Sequence, residues 1–219
     1  MSISPFVLQK HPAPLQFIQQ CICDGVYRST GSRRHSSAKL SDYNDKIQKQ
    51  IRQCLLKKTG VYISGSTGVG KTHLLAAIIH EIYTNKFCEN VAHLNSTKDK
   101  RLDYIKGVCY MAESHDINNE IKTIYSNNEK AVTELIRDYV EIPHLFIDDF
   151  GAEKQTEHTS DVWDAIFNAR WCKDNLAATY ITSNLSIKKI QERYGSRISS
   201  RIKGMCFEIE LVGKDKRVG

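Results

Sequence analysis

The chain has 219 residues, 41% of them hydrophobic: enough for one α/β domain of ordinary size with a short extension, too few for two full domains. No apolar run approaches the ~20 residues of a membrane-crossing helix, and residues 1–20 lack the charged head and apolar centre of a signal peptide, so a cytoplasmic protein is expected. The net charge of +6 is uneven: residues 1–60 hold ten Lys and Arg against three Asp and no Glu, which leaves the remainder close to neutral. Such a basic arm suits an anionic partner such as nucleic acid, and equally a solubilising tail.

Residues 1–35 mix Pro, Ser, Gln and Arg without a sustained period and read as an arm, partly extended or disordered, ahead of a domain spanning residues 36–219. Seven scattered cysteines without an export signal argue for reduced thiols. Cys21 and Cys23 form a CxC pair, too tight for a usual zinc knuckle; His11 and His35 could complete a site, but no second cysteine pair supports one.

Ser41, Asp42 and Asn44 offer caps for a helix from about Asp45 to Lys57, with Ile47, Ile51 and Leu55 at four-residue spacing. Gly60 ends it, and Val61–Ile63 forms a short strand. After a glycine-rich turn, Leu74, Leu75, Ile78, Ile79 and Ile82 share one helical stripe. The polar stretch 87–107 fits no element and reads as a protruding loop. A second strand is expected at Val108–Ala112, a helix at Glu129–Tyr139, and a buried strand at Leu145–Ile147 that ends in two aspartates. Trp163, Ile166, Phe167 and Arg170 fit a helix, Ala178–Thr182 a fourth strand, and Ile187, Ile190 and Tyr194 another helix. Last, Phe207, Ile209 and Leu211 alternate with Glu208 and Glu210 as a half-exposed strand. Strands alternating with helices imply a three-layer α/β domain with a mostly parallel sheet.

Residues 65–72, Gly-Ser-Thr-Gly-Val-Gly-Lys-Thr, match GxxxxGK[ST] at every required position, between a strand and an amphipathic helix. Glycines let successive N–H groups turn towards phosphate oxygens, and the following helix presents its positive end. The phosphate-binding candidates are Gly65, Thr67, Gly68, Val69, Gly70, Lys71, Thr72 and the adjoining His73. Lys71 would reach the β- and γ-phosphates of ATP, and the Thr72 hydroxyl would take one Mg²⁺ position. Asp148, 77 positions after Lys71 at a strand end, is the second candidate Mg²⁺ ligand, and Asp149 the general base or water-orienting group.

Three further runs extend this pattern: Asp148-Asp149-Phe150-Gly151 with Glu153-Lys154, then Thr182-Ser183-Asn184-Leu185, then Gly195 to Ile202. Together they resemble the successive signatures of DnaC-type helicase loaders and IstB-type transposition helpers, AAA+ P-loop ATPases related to the DnaA initiator; the resemblance spans roughly residues 33–217. It implies a five-stranded parallel sheet of order 5-1-4-3-2. It assigns Asn184 to sensor 1, Arg201 to an arginine finger that enters a neighbouring subunit's site, Arg197 to a second interface arginine, and Arg217 to a sensor-2 substitute. Since the chain ends just after Arg217, no separate helical lid is expected. The implied activity is slow, Mg²⁺-dependent ATP hydrolysis that requires oligomerisation. The implied partners are a replicative helicase, DNA (single-stranded above all) and further copies of the chain. Two other roles fit the same residues: a transposition helper that assembles on DNA, and a nucleotide-binding adaptor with little turnover.

Overall fold

The computed structural model describes residues 23, 26–27, 30–31, 33–90, 108–125, 129–154, 156–173 and 177–215. Most of the expected arm lies outside them, as do Cys21, His11, Arg217 and residues 91–107. Two short 3₁₀ turns, Arg33–His35 and Leu40–Asp42, lead into α1 (Asp45–Leu56), which Asn44 caps by accepting the Ile47 N–H at 3.0 Å. There follow β1 (Gly60–Gly65), α2 (Lys71–Asn90), β2 (Cys109–Glu113), α3 (Ser114–Tyr125), α4 (Glu129–Glu141) and β3 (His144–Asp148). The remainder is α5 (Glu157–Cys172), β4 (Ala178–Ser183), α6 (Ile187–Tyr194), α7 (Ser196–Met205) and β5 (Cys206–Leu211).

All five strands run parallel in the order β2-β3-β4-β1-β5, the expected 5-1-4-3-2 read from the other edge. A parallel sheet covered on both faces needs apolar side chains at consecutive positions, and the runs Val61-Tyr62-Ile63 and Leu145-Phe146-Ile147 supply them. Val61, Ile63, Phe146 and Tyr180 face one layer with Leu74, Leu75, Ile78 and Ile79 of α2; Tyr62, Leu145, Ile147 and Ile181 face the other with α3 to α7. Val26, Ala38 and Leu40 are buried in the first layer.

Three elements differ from the sequence reading. Residues 87–90 continue α2 rather than opening a loop. Helix α3, whose Ile117 and Ile121 are fully buried, follows β2 without any glycine or proline to announce it. On β5, Ile209 and Leu211 are buried as expected, but Phe207 stays 42% exposed, because β5 is an edge strand and its first turn of chain is not covered.

Arg170 is the buried charge that closes the lower edge of the sheet. Its guanidinium donates to the carbonyls of Tyr139 (2.8 Å), Val140 (3.1 Å), Ile142 (2.9 Å) and Ala178 (2.8 Å) and to the Thr179 hydroxyl (2.8 Å). It thereby satisfies the C-terminal carbonyls of α4, which have no helical partner of their own. Burial pulls its pKa down to about 10, still well above neutrality. Replacing it with an isosteric apolar chain would strand these acceptors in a dry environment. Arg170→Met is expected to lower the unfolding free energy by at least ~3 kcal/mol, measured by urea denaturation.

Candidate functional site

Because every strand is parallel, the C-terminal ends of β1, β2, β3 and β4 open on one edge, and the chain leaves β1 towards β2 across the two strands between them. Ligand clefts form at such switch points. A cavity of about 540 Å³ lies there.

Its floor is the turn from β1 to α2. Gly65, with the Leu211 carbonyl where a Cβ would project, lets β5 pack against the turn, and Gly68 adopts φ 80° with the Asp215 carboxylate against it. The Tyr43 hydroxyl donates to the Gly70 carbonyl at 2.8 Å and so ties the turn to the segment ahead of α1. Lys71 is only 6% exposed; its ammonium donates to the Ser66 carbonyl at 2.9 Å and to Asn184 Oδ1 at 2.7 Å, a residue 113 positions away.

The opposite wall is the end of β3. Burial, with Asp149 beside it, raises the Asp148 pKa, while hydrogen bonds from the Thr182 and Thr72 hydroxyls oppose that rise. The same Thr182 oxygen accepts the Asp149 N–H at 2.9 Å. Asp149 is held at φ 51°, a left-handed conformation unusual for a residue with a side chain. Three bonds keep it there: its own N–H to Thr182, its carbonyl accepting from the Ser114 hydroxyl (3.0 Å), and the Phe150 N–H to the Thr182 carbonyl (2.8 Å).

Thr67, Gly68, Gly70, Lys71, Thr72 and His73 all line this cavity, together with Asp148, Asp149 and Asn184. Val69 is different: it does not line the cavity, and its side chain is buried in the core. His73 also holds the Asp42 carboxylate at 2.9 Å. Arg201 does not line the cavity; it sits on α7 with its guanidinium over the Trp171 ring. Arg197 pairs with Asp164 at 3.2 Å. Among the described residues no group of His, Cys, Asp or Glu is arranged to hold a metal by itself, and Cys23 is a free thiol.

Four residues join the site that the sequence reading had not assigned to it. Arg34 and His35 reach the cavity from the first 3₁₀ turn, and burial plus the neighbouring His73 and Arg34 keep His35 below the usual histidine pKa. Glu113 lines it from the end of β2, in register with Asp148; burial and Asp116, Asp148 and Asp149 raise its pKa. That register, C-terminal strand end beside C-terminal strand end, was the available signal. Thr182 gave none, since a threonine inside a strand is ordinary.

The bacterial DnaA ATPase domain family matches residues 45–207. Curated protein sequences give no match. Among solved structures, the crystal structure of the DnaC helicase loader superposes with a TM-score of 0.61 at 22% identity, over 83% of this chain and 100% of that one. The crystal structure of DnaI gives 0.60 at 25% identity, over 85% and 94%. The replication initiator DnaA bound to AMPPCP and single-stranded DNA gives 0.57 at 19% identity, over 81% of this chain and 50% of that one. These structures share its fold, that of AAA+ P-loop NTPases. With a match that covers well over half of its length, the chain belongs to the bacterial DnaA ATPase-domain family.

Proposed function

We propose that this protein is a Mg²⁺-dependent ATPase that serves DNA replication as a loader or accessory of the replicative helicase. The observation that carries the ATPase reading is the convergence of Lys71, Thr72, Asp148, Asp149 and Asn184 on one cavity from three separate stretches of chain. Their chemistry fits a nucleoside triphosphate with a divalent ion: a buried ammonium at a helix N-terminus, beside a hydroxyl that hydrogen-bonds a buried carboxylate. Bound Mg·ATP supplies the transferable phosphoryl group and the divalent charge that opposes the burial of Asp148.

In this reading Lys71 neutralises phosphate charge, and Thr72 with Asp148 holds the cation. Asp149, pinned by its backbone at the cavity wall, takes the proton of the attacking water. Asn184, already bonded to Lys71, orients that water and couples the end of β4 to the phosphate site. Arg201 lies outside its own cavity and completes the site of a neighbouring copy, which makes turnover slow until copies assemble. The helicase and single-stranded DNA are proposed as partners from the likeness to the DnaC helicase loader and to DnaA bound to single-stranded DNA. Pull-down of a replicative helicase with the tagged chain and ATP tests that part; ATP-dependent filaments on DNA with no helicase bound would instead favour the transposition helper.

Lys71→Ala is expected to abolish tight ATP binding in calorimetry. Asp149→Asn is expected to bind Mg·ATP like wild type while hydrolysing it at least ~100-fold more slowly; unchanged hydrolysis would remove Asp149 from the mechanism.

Thr182→Val removes a donor from Asp148 and the acceptor of the Asp149 N–H. Asp148 must be ionised to hold a cation, and its pKa is already raised, so losing a bond that favours the carboxylate raises it further. Activity should therefore begin to fail at a higher pH than in wild type as the solution is acidified. An ATPase pH profile with an unmoved acid limb would contradict this.

Arg201→Ala is expected to bind ATP normally yet lose ~10³-fold in turnover when assembled. Mixing it with Lys71→Ala, which keeps its arginine but binds no ATP, should restore part of the activity. A mixture that co-assembles and stays inactive would show that Arg201 does not act in trans.

A further inference from the structure

The sequence holds two tryptophans in opposite environments. Trp163 is fully buried in the core, whereas Trp171, at the end of α5, is 43% exposed. Large aromatic rings are seldom left at a surface without a partner, and they are enriched where one protein surface meets another.

Trp171 has a built seat. Its ring lies directly on Gly204 of α7, where any Cβ would collide with it. Glycine is unfavourable inside a helix, so its presence here is accounted for by the close approach of the ring. One turn earlier on α7 is Arg201, whose Cζ lies 5.8 Å from the Trp171 ring centroid, within cation–π range. The Arg201 Nε is buried with no hydrogen-bond partner among the described residues. Arginine side chains carry large rotamer entropy, and a ring face beneath the guanidinium restricts it to one direction.

The occupant of this surface follows from charge. Helix α7 carries Arg197, Arg201 and Lys203 and no acid, while the cavity lining holds Glu113, Asp148 and Asp149 beside Arg34 and Lys71, and a bound nucleoside triphosphate would add negative charge there. A second copy of this chain, offering its cavity mouth, is complementary to the Trp171 face. Resting on the reading of Arg201 as a residue that acts in trans, we infer that Trp171 is the platform that aims Arg201 into the nucleotide site of the next copy. Trp171 is then a positioning residue: it touches no reacting atom and acts only through Arg201.

The test combines a measurement on the unaltered protein with a short mutant set. Acrylamide quenching of tryptophan emission reports Trp171, because Trp163 is shielded; quenching is expected to fall when a non-hydrolysable ATP analogue drives assembly. In the assembled state Trp171→Leu is expected to lose roughly 10–100-fold in kcat, as misplacement of a charge-stabilising group does, with the KM for ATP within about twofold of wild type. Trp171→Phe, which keeps a ring, should recover most of that loss. Trp171→Leu mixed with Lys71→Ala should regain turnover, since the latter presents an intact Arg201. The double variant Trp171→Leu, Arg201→Ala should be no slower than Arg201→Ala alone.

Wild-type kcat in Trp171→Leu beside an inactive Arg201→Ala would overturn the inference and leave the parent reading standing. So would a double variant slower than Arg201→Ala, or quenching unchanged by assembly. Failure of Trp171→Leu to assemble would overturn it in favour of a purely adhesive role. Full activity in Arg201→Ala would instead overturn the parent reading.

Discussion

The buried carboxylate of Glu153 ties the loop after β3 to three other parts of the molecule. It accepts from Ser114 at the start of α3 (2.6 Å), from the Gly151 N–H (2.9 Å), from Trp163 Nε1 on α5 (2.9 Å) and from the Tyr194 hydroxyl on α6 (2.8 Å). A carboxylate removed from water is tolerable only when its lone pairs are met, and here four donors meet them. Each donor belongs to a different segment, so the loop after β3 is fixed from several directions at once. That over-determination is what allows Asp149 to remain at φ 51°. Arg170 does the corresponding work at the other end of α5, where it binds the last carbonyls of α4 and the start of β4. Neither charge is paired with the other; each is solvated by neutral groups of the fold. Between them α5 is pinned at its middle, through Trp163, and near its C-terminal end, through Arg170.

The parts legible in the sequence were those whose signal is local. Runs such as Val61–Ile63 and Leu145–Ile147 are apolar at every position because both faces of a parallel sheet are covered, and a strand-turn-helix containing the phosphate-binding pattern admits few other foldings. The placement of Asp148 and Asp149 at a strand end followed from the second of these runs, and that of Asn184 from the family resemblance. What could not be read was proximity across the chain. Arg34 and His35 stand in a stretch with no period, and nothing local indicates that a 3₁₀ turn carries them to the cavity. Thr182 looks like any strand threonine until β3 and β4 are paired. Helix α3 was missed because its first turn, Ser114-His115-Asp116, directly continues β2, and helix starts are recognised by a break in pattern. Phe207 misled for the opposite reason: its alternation with Ile209 and Leu211 is genuine, but coverage of that face stops short of it.

The electrostatics of the cavity are balanced by opposition. Lys71 and Arg34 face Glu113, Asp148 and Asp149, and the pKa values of Glu113 and Asp148 are both raised, with burial the first cause and the neighbouring acids the second. Three carboxylates in one wall repel one another in the absence of a compensating cation. An arrangement with raised acids on one side and a buried ammonium on the other is poised for a ligand that brings both signs, a polyanion with a divalent ion. The same opposition argues against a purely structural role for the acids, since a fold seeking stability alone gains nothing by gathering them.

The position of β5 then connects this cavity to the surface where Arg201 stands. Helix α7 passes without a loop into β5, which pairs with β1 from Gly60 opposite Cys206 to Gly65 opposite Leu211. At the far end of β5 the Leu211 carbonyl lies where Gly65 has no side chain, and Asp215 rests against Gly68. The helix that carries Arg201 and the turn after β1 therefore lie against opposite ends of one strand. That strand cannot slide by one residue without turning Ile209 and Leu211 out of the core. A displacement of α7 would reach the glycines of the turn after β1 through β5, which is in register with β1 over its whole length.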